Sequence, residues 1–219
     1  METRRLRGDV ERDLQAAAQL LRDGQTVAFP TETVYGLGAD AMNAAAVQSI
    51  YTAKGRPSDK PLIILIHDRA QLKALAAPSE QVQRLAKPLM DAFWPGALTL
   101  VFPEKPGAVP DAVTRGRDTI AVRMPNHPVA LRLLALADVP VAAPSANISG
   151  KTSPTEAEHV ARDLDGRIGA IVSGGSCQVG VASTILDISG EQPMLLRQGT
   201  ITKAQLEAVL GCTVQDATC

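Results

Sequence analysis

Strands and helices interleave along this sequence, which predicts an α/β (α+β) fold on a mixed sheet. Three observations carry the prediction. Short apolar runs such as TVAFP, PLIILI and ALTLVF recur between segments of helical spacing. The intervening helices are long enough to act as crossovers, which suits parallel pairing. The last strand-like runs, GAIVSG, STILDIS and PMLLRQ, follow one another closely, which suits antiparallel pairing and makes the sheet mixed. No internal repeat, low-complexity tract or linker interrupts the pattern, so residues 1–219 read as one domain.

The elements follow in order. Val10, Leu14, Ala17 and Leu21 repeat at helical spacing with Gly24 as a stop, predicting a helix over 10–22. TVAFP (26–30) is a strand, and Asn43 caps a helix running toward Ala53. PLIILI (61–66) is a strand, and Ser79 caps a helix through about Ala92. ALTLVF (97–102) and TIAVRM (119–124) are strands, 127–137 is a helix, and VPVAAP is a short strand. Thr155 with Glu158, and Thr202 with Gln205, have the spacing of capping boxes, each opening a short helix.

Composition excludes several classes. Hydrophobic residues are 45% and charged residues 21%, too apolar for a disordered chain. The 22 basic and 23 acidic residues give a net charge of -1, which does not suit a globally basic nucleic-acid binder. The longest apolar run is far shorter than the roughly 20 residues of a membrane span, and no apolar stretch follows the charged N-terminus. Cys177, Cys212 and Cys219 form no CxxC pair, so reduced thiols in a cytoplasmic protein are expected.

Familiar signatures fail. Gly36, Gly38 and Ala41 match G-x-G-x-x-A, but TETVY separates them from the strand, whereas a dinucleotide fold places the first glycine at the strand end. These glycines are expected in a turn. Gly150-Lys151-Thr152 resembles the end of a P-loop, yet Ser145 stands where its first glycine belongs. Lys151 is either a solvated loop lysine or a phosphate contact. His67, His127 and His159 lack metal-ligand spacing, so no metal ligand is assigned. There is no G-x-S-x-G elbow or S-x-x-K pair.

What remains is a set of polar, cationic loops after apolar strands, where α/β proteins place ligands. PTETVYGLGADA offers the hydroxyls of Thr31 and Thr33. KGRPSDKP sets Lys54, Arg56 and Lys60 within seven positions, a density that suits a polyphosphate. In AVRMP, Arg123 ends a strand and could grip a carboxylate or phosphate bidentately. APSANISGKTSPT crowds Ser145, Asn147, Ser149 and Ser153 around a glycine, a loop type that presents hydroxyls and N–H groups to anions. Ser183 and Thr184 enter one strand and Arg197 leaves another. With no nucleophile and no tuned base, the set suits nucleotidyl transfer, which runs on positioning and cations.

Taken in order, PTETVYGLGADA, KGRPSDKPL, FWPGALTLVF, AVRMPNHP, APSANISGKTSPT and STILD…LLRQGTI resemble the motifs of the YrdC/TsaC family, from about Gln25 to Ile201. The length resembles the single-domain form of that family. The resemblance implies a YrdC-like twisted mixed sheet flanked by helices around a concave cationic cavity. It also implies an enzyme, a nucleotidyltransferase that condenses L-threonine, bicarbonate and ATP into threonylcarbamoyl-AMP and pyrophosphate. The product would supply N6-threonylcarbamoyladenosine at position 37 of tRNA through a downstream transfer enzyme. Mg²⁺ would enter as Mg-ATP, and weak direct tRNA binding is allowed for.

Carried over by motif, Lys54 and Arg56 match the family's KxR pair, and Ser145 with Asn147 its SxN pair. The catalytic candidates are Lys54 and Arg56. The ATP candidates are Arg56, Lys60, Thr119, Ser145, Asn147, Ser153 and Arg197; those for L-threonine are Thr33, Arg123, Ala143 and Ser183. Three departures stand out: Leu65 where many relatives have His, Ser176-Cys177 where they read PC, and Gln198 where they read Pro. Two other functions fit a cationic hollow. One is a structured-RNA-binding module without chemistry, which the intact KxR and SxN residues argue against. The other is a carbamoyl-transfer domain, whose longer chains carry zinc-finger-like cysteines that are missing here.

Overall fold

The computed structural model describes residues 2–217. Among them, eleven strands form a single mixed sheet in the order β1-β8-β2-β3-β7-β4-β6-β5-β9-β10-β11. The strands are β1 (Arg4–Arg7), β2 (Val27–Phe29), β3 (Gly36–Asp40), β4 (Ile63–Leu65), β5 (Leu98–Pro103), β6 (Thr119–Arg123), β7 (Val141–Ala142), β8 (Ala170–Ser173), β9 (Thr184–Asp187), β10 (Met194–Arg197) and β11 (Gln215–Asp216). The helices are α1 (Glu11–Arg22), α2 (Ala44–Lys54), α3 (Leu72–Leu75), α4 (Glu80–Phe93), α5 (Asp111–Thr114), α6 (Pro128–Ala137), α7 (Ala157–Leu164) and α8 (Lys203–Leu210). As the spacing of the C-terminal runs predicts, β9 and β10 pair antiparallel. The crossover pairs β4/β6, β2/β8 and β5/β9 are parallel.

Period-two alternation sorts the strand residues into two cores. Val27 and Phe29 face α1 and α6, while Ala28 between them faces the opposite core. Ile64 packs with α2 and α4, and Leu65 turns to the other face. Each fully buried leucine, such as Leu21 or Leu133, contributes about 2 kcal/mol of hydrophobic stabilisation. Helices α1 and α6 cover one end of their face of the sheet. Further along, the residues of β4, β6, β5 and β9 on that side line an open cavity.

Local chemistry explains the helix starts. Asn43 accepts from the N–H groups of Ala45 and Ala46, and Ser79 from that of Val82. Thr202 and Gln205 form the expected reciprocal box. The Thr155–Glu158 box does not form: helix α7 starts one residue later, with Glu156 at its N-cap and no side-chain cap. Gly36 and Gly38 are not in a turn either. Both lie in β3, where a Cβ on Gly38 would come within 2.7 Å of Phe29 and Val141. Close sheet packing, not turn chemistry, requires that glycine.

Candidate functional site

The floor of the cavity is the period-two face of four neighbouring strands. Thr119, Ala121 and Arg123 of β6 line it, Ile120 of the core borders it, and Val122 lies wholly in the core. Ile63 and Leu65 come from β4, Val101 from β5, and Ile185 and Asp187 from β9. Loops and strand ends build the walls: Thr31, Thr33 and Val34 with Gly36 at the start of β3, then Arg56 and Pro61, then Ala143 to Ser145 with Ser153, and finally Ser183 with Arg197 at the end of β10. The volume is about 380 Å³. Nine sequence-predicted residues meet here: Thr33, Arg56, Thr119, Arg123, Ala143, Ser145, Ser153, Ser183 and Arg197.

Strand register gives the cavity two ends. Arg123 is paired with Leu65, and Ser183 adjoins Thr184, which is aligned with Leu98. Thr119 is paired with Pro103 at the other end of β6, toward Arg56 and Pro61. Four residue steps along β6 lead from Thr119 to Arg123, so the two ends are about 13 Å apart.

At the Thr119 end, the Arg56 guanidinium donates to the Lys60 carbonyl at 3.4 Å and to the Pro61 carbonyl at 3.0 Å. Burial holds its pKa below the ordinary arginine value. Arg197 belongs to the Arg123 end: it is paired with Ile185, which lies level with Arg123, and it donates through Nε to the Ser183 carbonyl (2.9 Å) and through Nη2 to Ser183 Oγ (3.1 Å). Ser183 Oγ also shares a proton with Thr99 Oγ1 at 2.8 Å. The Arg197 pKa is lowered by burial, then by the charges of Arg123 and Arg56. Arg197 therefore feels the charge of both other guanidiniums, an arrangement that favours an anion.

At the other end, Arg123 Nε donates to the Gly96 carbonyl at 3.0 Å. Its Nη2 lies 2.7 Å from Glu32 Oε1, but the approach is off the N–H axis, so the contact is an ion pair rather than an aligned hydrogen bond. The Nε edge of the fork thus faces Gly96 and Glu32. Only the edge carrying Nη1 is left for a bidentate partner, which narrows the grip expected from the sequence. Thr31 Oγ1 donates to the Val34 carbonyl (2.7 Å) and lies 2.9 Å from Thr33 Oγ1, fixing both hydroxyls.

Lys54, Lys60 and Asn147 do not line the cavity. Lys54 is only 2% exposed and its ammonium donates to the carbonyls of Ser145 and Asn147. Burial first, and Arg56 second, pull its pKa down to about 8. Asn147 donates its amide to the carbonyls of Ile148 and Lys151. Lys60 is exposed, and it is its carbonyl that serves the site, accepting from Arg56 and from Tyr51 Oη. Lys151 pairs with Asp163 at 2.7 Å, so the Gly-Lys-Thr loop is anchored to α7 rather than presented to the cavity.

Several residues of the site escaped the sequence reading. Arg117 and Thr114 line the cavity from the α5 segment, where no periodic pattern marks them. Arg115 stacks its guanidinium 3.7 Å from the Tyr51 ring centroid, next to Arg56. Asp187 is the one carboxylate among the cavity residues, and it accepts from the Ser189 amide and hydroxyl. Glu32 lies behind Thr31 and Thr33, and only its charge beside two threonines could have drawn attention to it.

The departures have local explanations. Leu65 gives the cavity an apolar wall beside Arg123, while His67 is turned toward Asp138, 3.9 Å away. Gln198 donates to the carbonyls of Gly199 and Ile201 and so braces its own turn. Ser176 donates to Glu156 at 3.1 Å. Cys177 is buried, with its thiol pushed up to about 11, and Cys212 is exposed; both are free, while Cys219 lies outside the described residues. Among the described residues no group of three His, Cys, Asp or Glu could hold a metal, and no helix is long and apolar enough to cross a membrane.

This chain is 56% identical over 218 residues to the threonylcarbamoyl-AMP synthase of Bacillus subtilis, covering 96% of this chain and 62% of the relative. It is 51% identical over 198 residues to that of Pyrococcus abyssi, covering 90% and 57%. The crystal structure of Pyrococcus abyssi Sua5 complexed with L-threonine superposes with a TM-score of 0.91 at 47% identity, covering 98% of this chain and 63% of that one. The chain thus spans about three fifths of the length of these relatives, which are longer than the single-domain form that its own length resembles. The Sua5/YciO/YrdC family profile, described as "Telomere recombination", matches residues 19–199. That span holds every loop that builds the cavity, and on it the chain belongs to the Sua5/YciO/YrdC family.

Proposed function

We propose that this chain is a threonylcarbamoyl-AMP synthase that condenses L-threonine, bicarbonate and Mg-ATP. The observation that carries the reading is the two-ended cavity, with Arg56, Arg117, Thr114 and Thr119 at one end and, at the other, the Arg123 fork beside Ser183 and the Arg197 that holds it. The printed names of the relatives, and the L-threonine in the Pyrococcus abyssi structure, support it.

In this reading L-threonine sits at the Arg123 end. The free edge of Arg123 meets its carboxylate, and Thr33, Ser183 and the Ala143 backbone hold the rest. The triphosphate runs toward Arg56, Thr119, Ser145 and Ser153, with Arg197 reaching it from beside Ser183. The threonine amine adds to CO₂, giving a carbamate and releasing a proton to solvent; starting from bicarbonate, the same carbamate forms with loss of one water. A carbamate oxygen attacks the α-phosphorus, the bond to the bridging oxygen breaks, and pyrophosphate leaves. The guanidiniums offset the charge that grows on the leaving group. Lys54 acts through the loop it clamps, keeping Ser145 in place, which makes it a positioning residue. Mg²⁺ arrives on the triphosphate, and transfer to tRNA is the work of a separate enzyme in the cytoplasm.

The test is pyrophosphate release from Mg-ATP, with and without L-threonine and with and without bicarbonate. Release that needs both, with a threonylcarbamoyl-AMP mass in the mixture, is the expected result. Release indifferent to threonine would overturn the substrate assignment. No release, with salt-steep tRNA binding, would point instead to an RNA-binding module.

A further inference from the structure

Four hydroxyls at the Arg123 end of the cavity form two short chains, in which the place of each proton follows from its partners. A hydroxyl has one hydrogen to give and two lone pairs to receive. Thr31 Oγ1 gives its hydrogen to the Val34 carbonyl at 2.7 Å. In its 2.9 Å contact with Thr33 Oγ1 it must therefore accept, and Thr33 spends its own hydrogen there. Thr33 has only lone pairs left, so it can only accept from a ligand. Ser183 is wired the opposite way. Thr99 is fully buried, and its Oγ1 has no partner among the described residues other than Ser183 Oγ, 2.8 Å away. A buried hydroxyl hydrogen is costly to leave unpaired, so Thr99 donates. Arg197 Nη2 donates to the same oxygen at 3.1 Å. Both lone pairs of Ser183 Oγ are taken, and only its hydrogen is left to offer. The two chains are held together by the Gly180 amide, three residues before Ser183, which donates to the Thr33 carbonyl at 2.9 Å. Thr33 and Ser183 both line the cavity, whereas Thr99 does not.

We propose that Thr31 and Thr99 are positioning residues: by fixing Thr33 as an acceptor and Ser183 as a donor, they set which way round an amino acid lies at the Arg123 end. The inference rests on the proposed function for the identity of the ligand as L-threonine, and it narrows the part that Ser183 plays there. An ionised carboxylate can only accept, and an ammonium can only donate. The carboxylate therefore goes to Ser183 and the free edge of Arg123, and the amine goes to Thr33. The hydroxyl of the ligand can turn either way and needs no partner of fixed polarity. The reversed ligand would set its carboxylate against the lone pairs of Thr33 and its amine against the hydrogen of Ser183. Both contacts are repulsive, so the wrong orientation is refused as well as the right one favoured. With Thr33 accepting one N–H, the amine is held in one place when it meets CO₂, which saves the entropy of orienting it. Arg197 serves this end too, because it occupies one lone pair of Ser183.

Three ligands separate the two chains in calorimetric titrations of the full chain. They are L-threonine, 3-hydroxybutanoate, which lacks the amine, and 1-aminopropan-2-ol, which lacks the carboxylate. The wild-type chain should bind 3-hydroxybutanoate at least about tenfold more weakly than threonine. Thr31→Val keeps the shape and removes the acceptor of the Thr33 proton, which then turns into the cavity. It should weaken threonine about tenfold and 3-hydroxybutanoate less than about threefold. Thr31→Ser keeps the hydroxyl and should restore the preference. Thr99→Val should weaken both carboxylate ligands about fivefold and change 1-aminopropan-2-ol less than about twofold. A merely structural role for either threonine would move all three ligands together, and that result overturns the inference. So does a wild-type chain that binds 3-hydroxybutanoate as tightly as threonine. Should Thr31→Val fail to fold, Thr33→Val removes the acceptor itself and must give the same selective loss. If the wild-type chain binds none of the three, the functional reading fails, and hydroxyl-proton NMR of the free chain decides the wiring alone. The Thr33 and Thr99 hydroxyl protons should then exchange slowly and that of Ser183 fast; the opposite pattern overturns the inference.

Discussion

The ammonium of Lys54 reaches across 91 positions of sequence to the carbonyl of Ser145. It ties the end of α2 to the loop that carries three of the candidate ATP ligands, and the Ser149 amide returns a second link by donating to the Lys54 carbonyl at 2.9 Å. A lysine that the family resemblance puts among the catalytic candidates is thus spent on the backbone of a loop in the cavity wall.

Lys54→Met should lower ATP affinity about tenfold and leave threonine affinity nearly unchanged. Two carbonyls lose their donor, at about 1–3 kcal/mol for a buried group left unpaired, and part of that is offset because no charge is buried any longer. Titration with ATP, together with faster amide exchange over residues 146–151, is the measurement. Unchanged exchange there would contradict the clamp.

The same lysine predicts two pH trends of opposite sign. Its pKa falls from 10.5 to about 8 on folding, so the unfolded chain holds more protons between those values. Stability attributable to Lys54 therefore rises with pH through that window. ATP affinity should decline over the same range as the ammonium becomes neutral. Thermal melts and ATP titrations from pH 7 to 10, compared with Lys54→Met, separate the two.

Arg123→Lys should raise the threonine requirement at least about tenfold and the ATP requirement less than about threefold, because a lysine keeps the charge but cannot present a fork. Arg123→Ala is the poorer probe, since it strands Glu32 as a buried, unpaired carboxylate. Equal effects on both substrates would remove Arg123 from the amino-acid end.

Gly199→Ala should destabilise the chain by about 1–3 kcal/mol, the usual cost of overpacking. A Cβ there would come within 2.4 Å of the Thr184 amide and 2.6 Å of the Ala182 carbonyl. Ser183 lies between them, so threonine affinity should fall with stability. Denaturant melts and a threonine titration on the folded fraction test both.

His127 is half-buried, and burial lowers its pKa from 6.5, opposed by the charge of Glu32. The stability it allows is complete above about pH 6.5 and is lost as the solution is acidified through the lower folded value. His127→Gln should flatten that loss. Melting temperatures from pH 7.5 to 5 give the comparison.

Strand and helix positions were legible wherever a side-chain period is strong. The apolar alternation of β6 and the caps Asn43, Ser79 and Thr202 come directly from residue type. Strands β1, β3 and β11 and the short helices α3 and α5 were not. In β3 the sequence GLGAD has little strand propensity, and its place is decided by partners on both sides, β2 and β7. The site was legible as a set of loops, because hydroxyls and cations after strands carry meaning on their own. Which atoms face the cavity was not. Lys54 and Arg56 are two residues apart, yet one is spent on backbone carbonyls of a distant loop and the other faces the ligand space. Glu32 finds its ion-pair partner only at Arg123, 91 positions later, and a single chain read linearly has no signal for that pairing.

The order of strands has a consequence for how the molecule is made. Strand β2 lies between β3, its immediate successor, and β8, whose Ala170 is aligned with Val27. β1 also waits for β8, pairing Arg4 with Ala170. On a ribosome adding about 5–20 residues per second, roughly 140 residues must follow β2 before its second neighbour exists, a delay on the order of ten seconds. During that interval one side of β2 and all of β1 present unpaired N–H and C=O groups to the cell. Such non-local pairing also slows refolding of the released chain. The newborn chain should therefore depend on holding chaperones until Ser173 has emerged, and truncations that end before α7 should aggregate rather than fold.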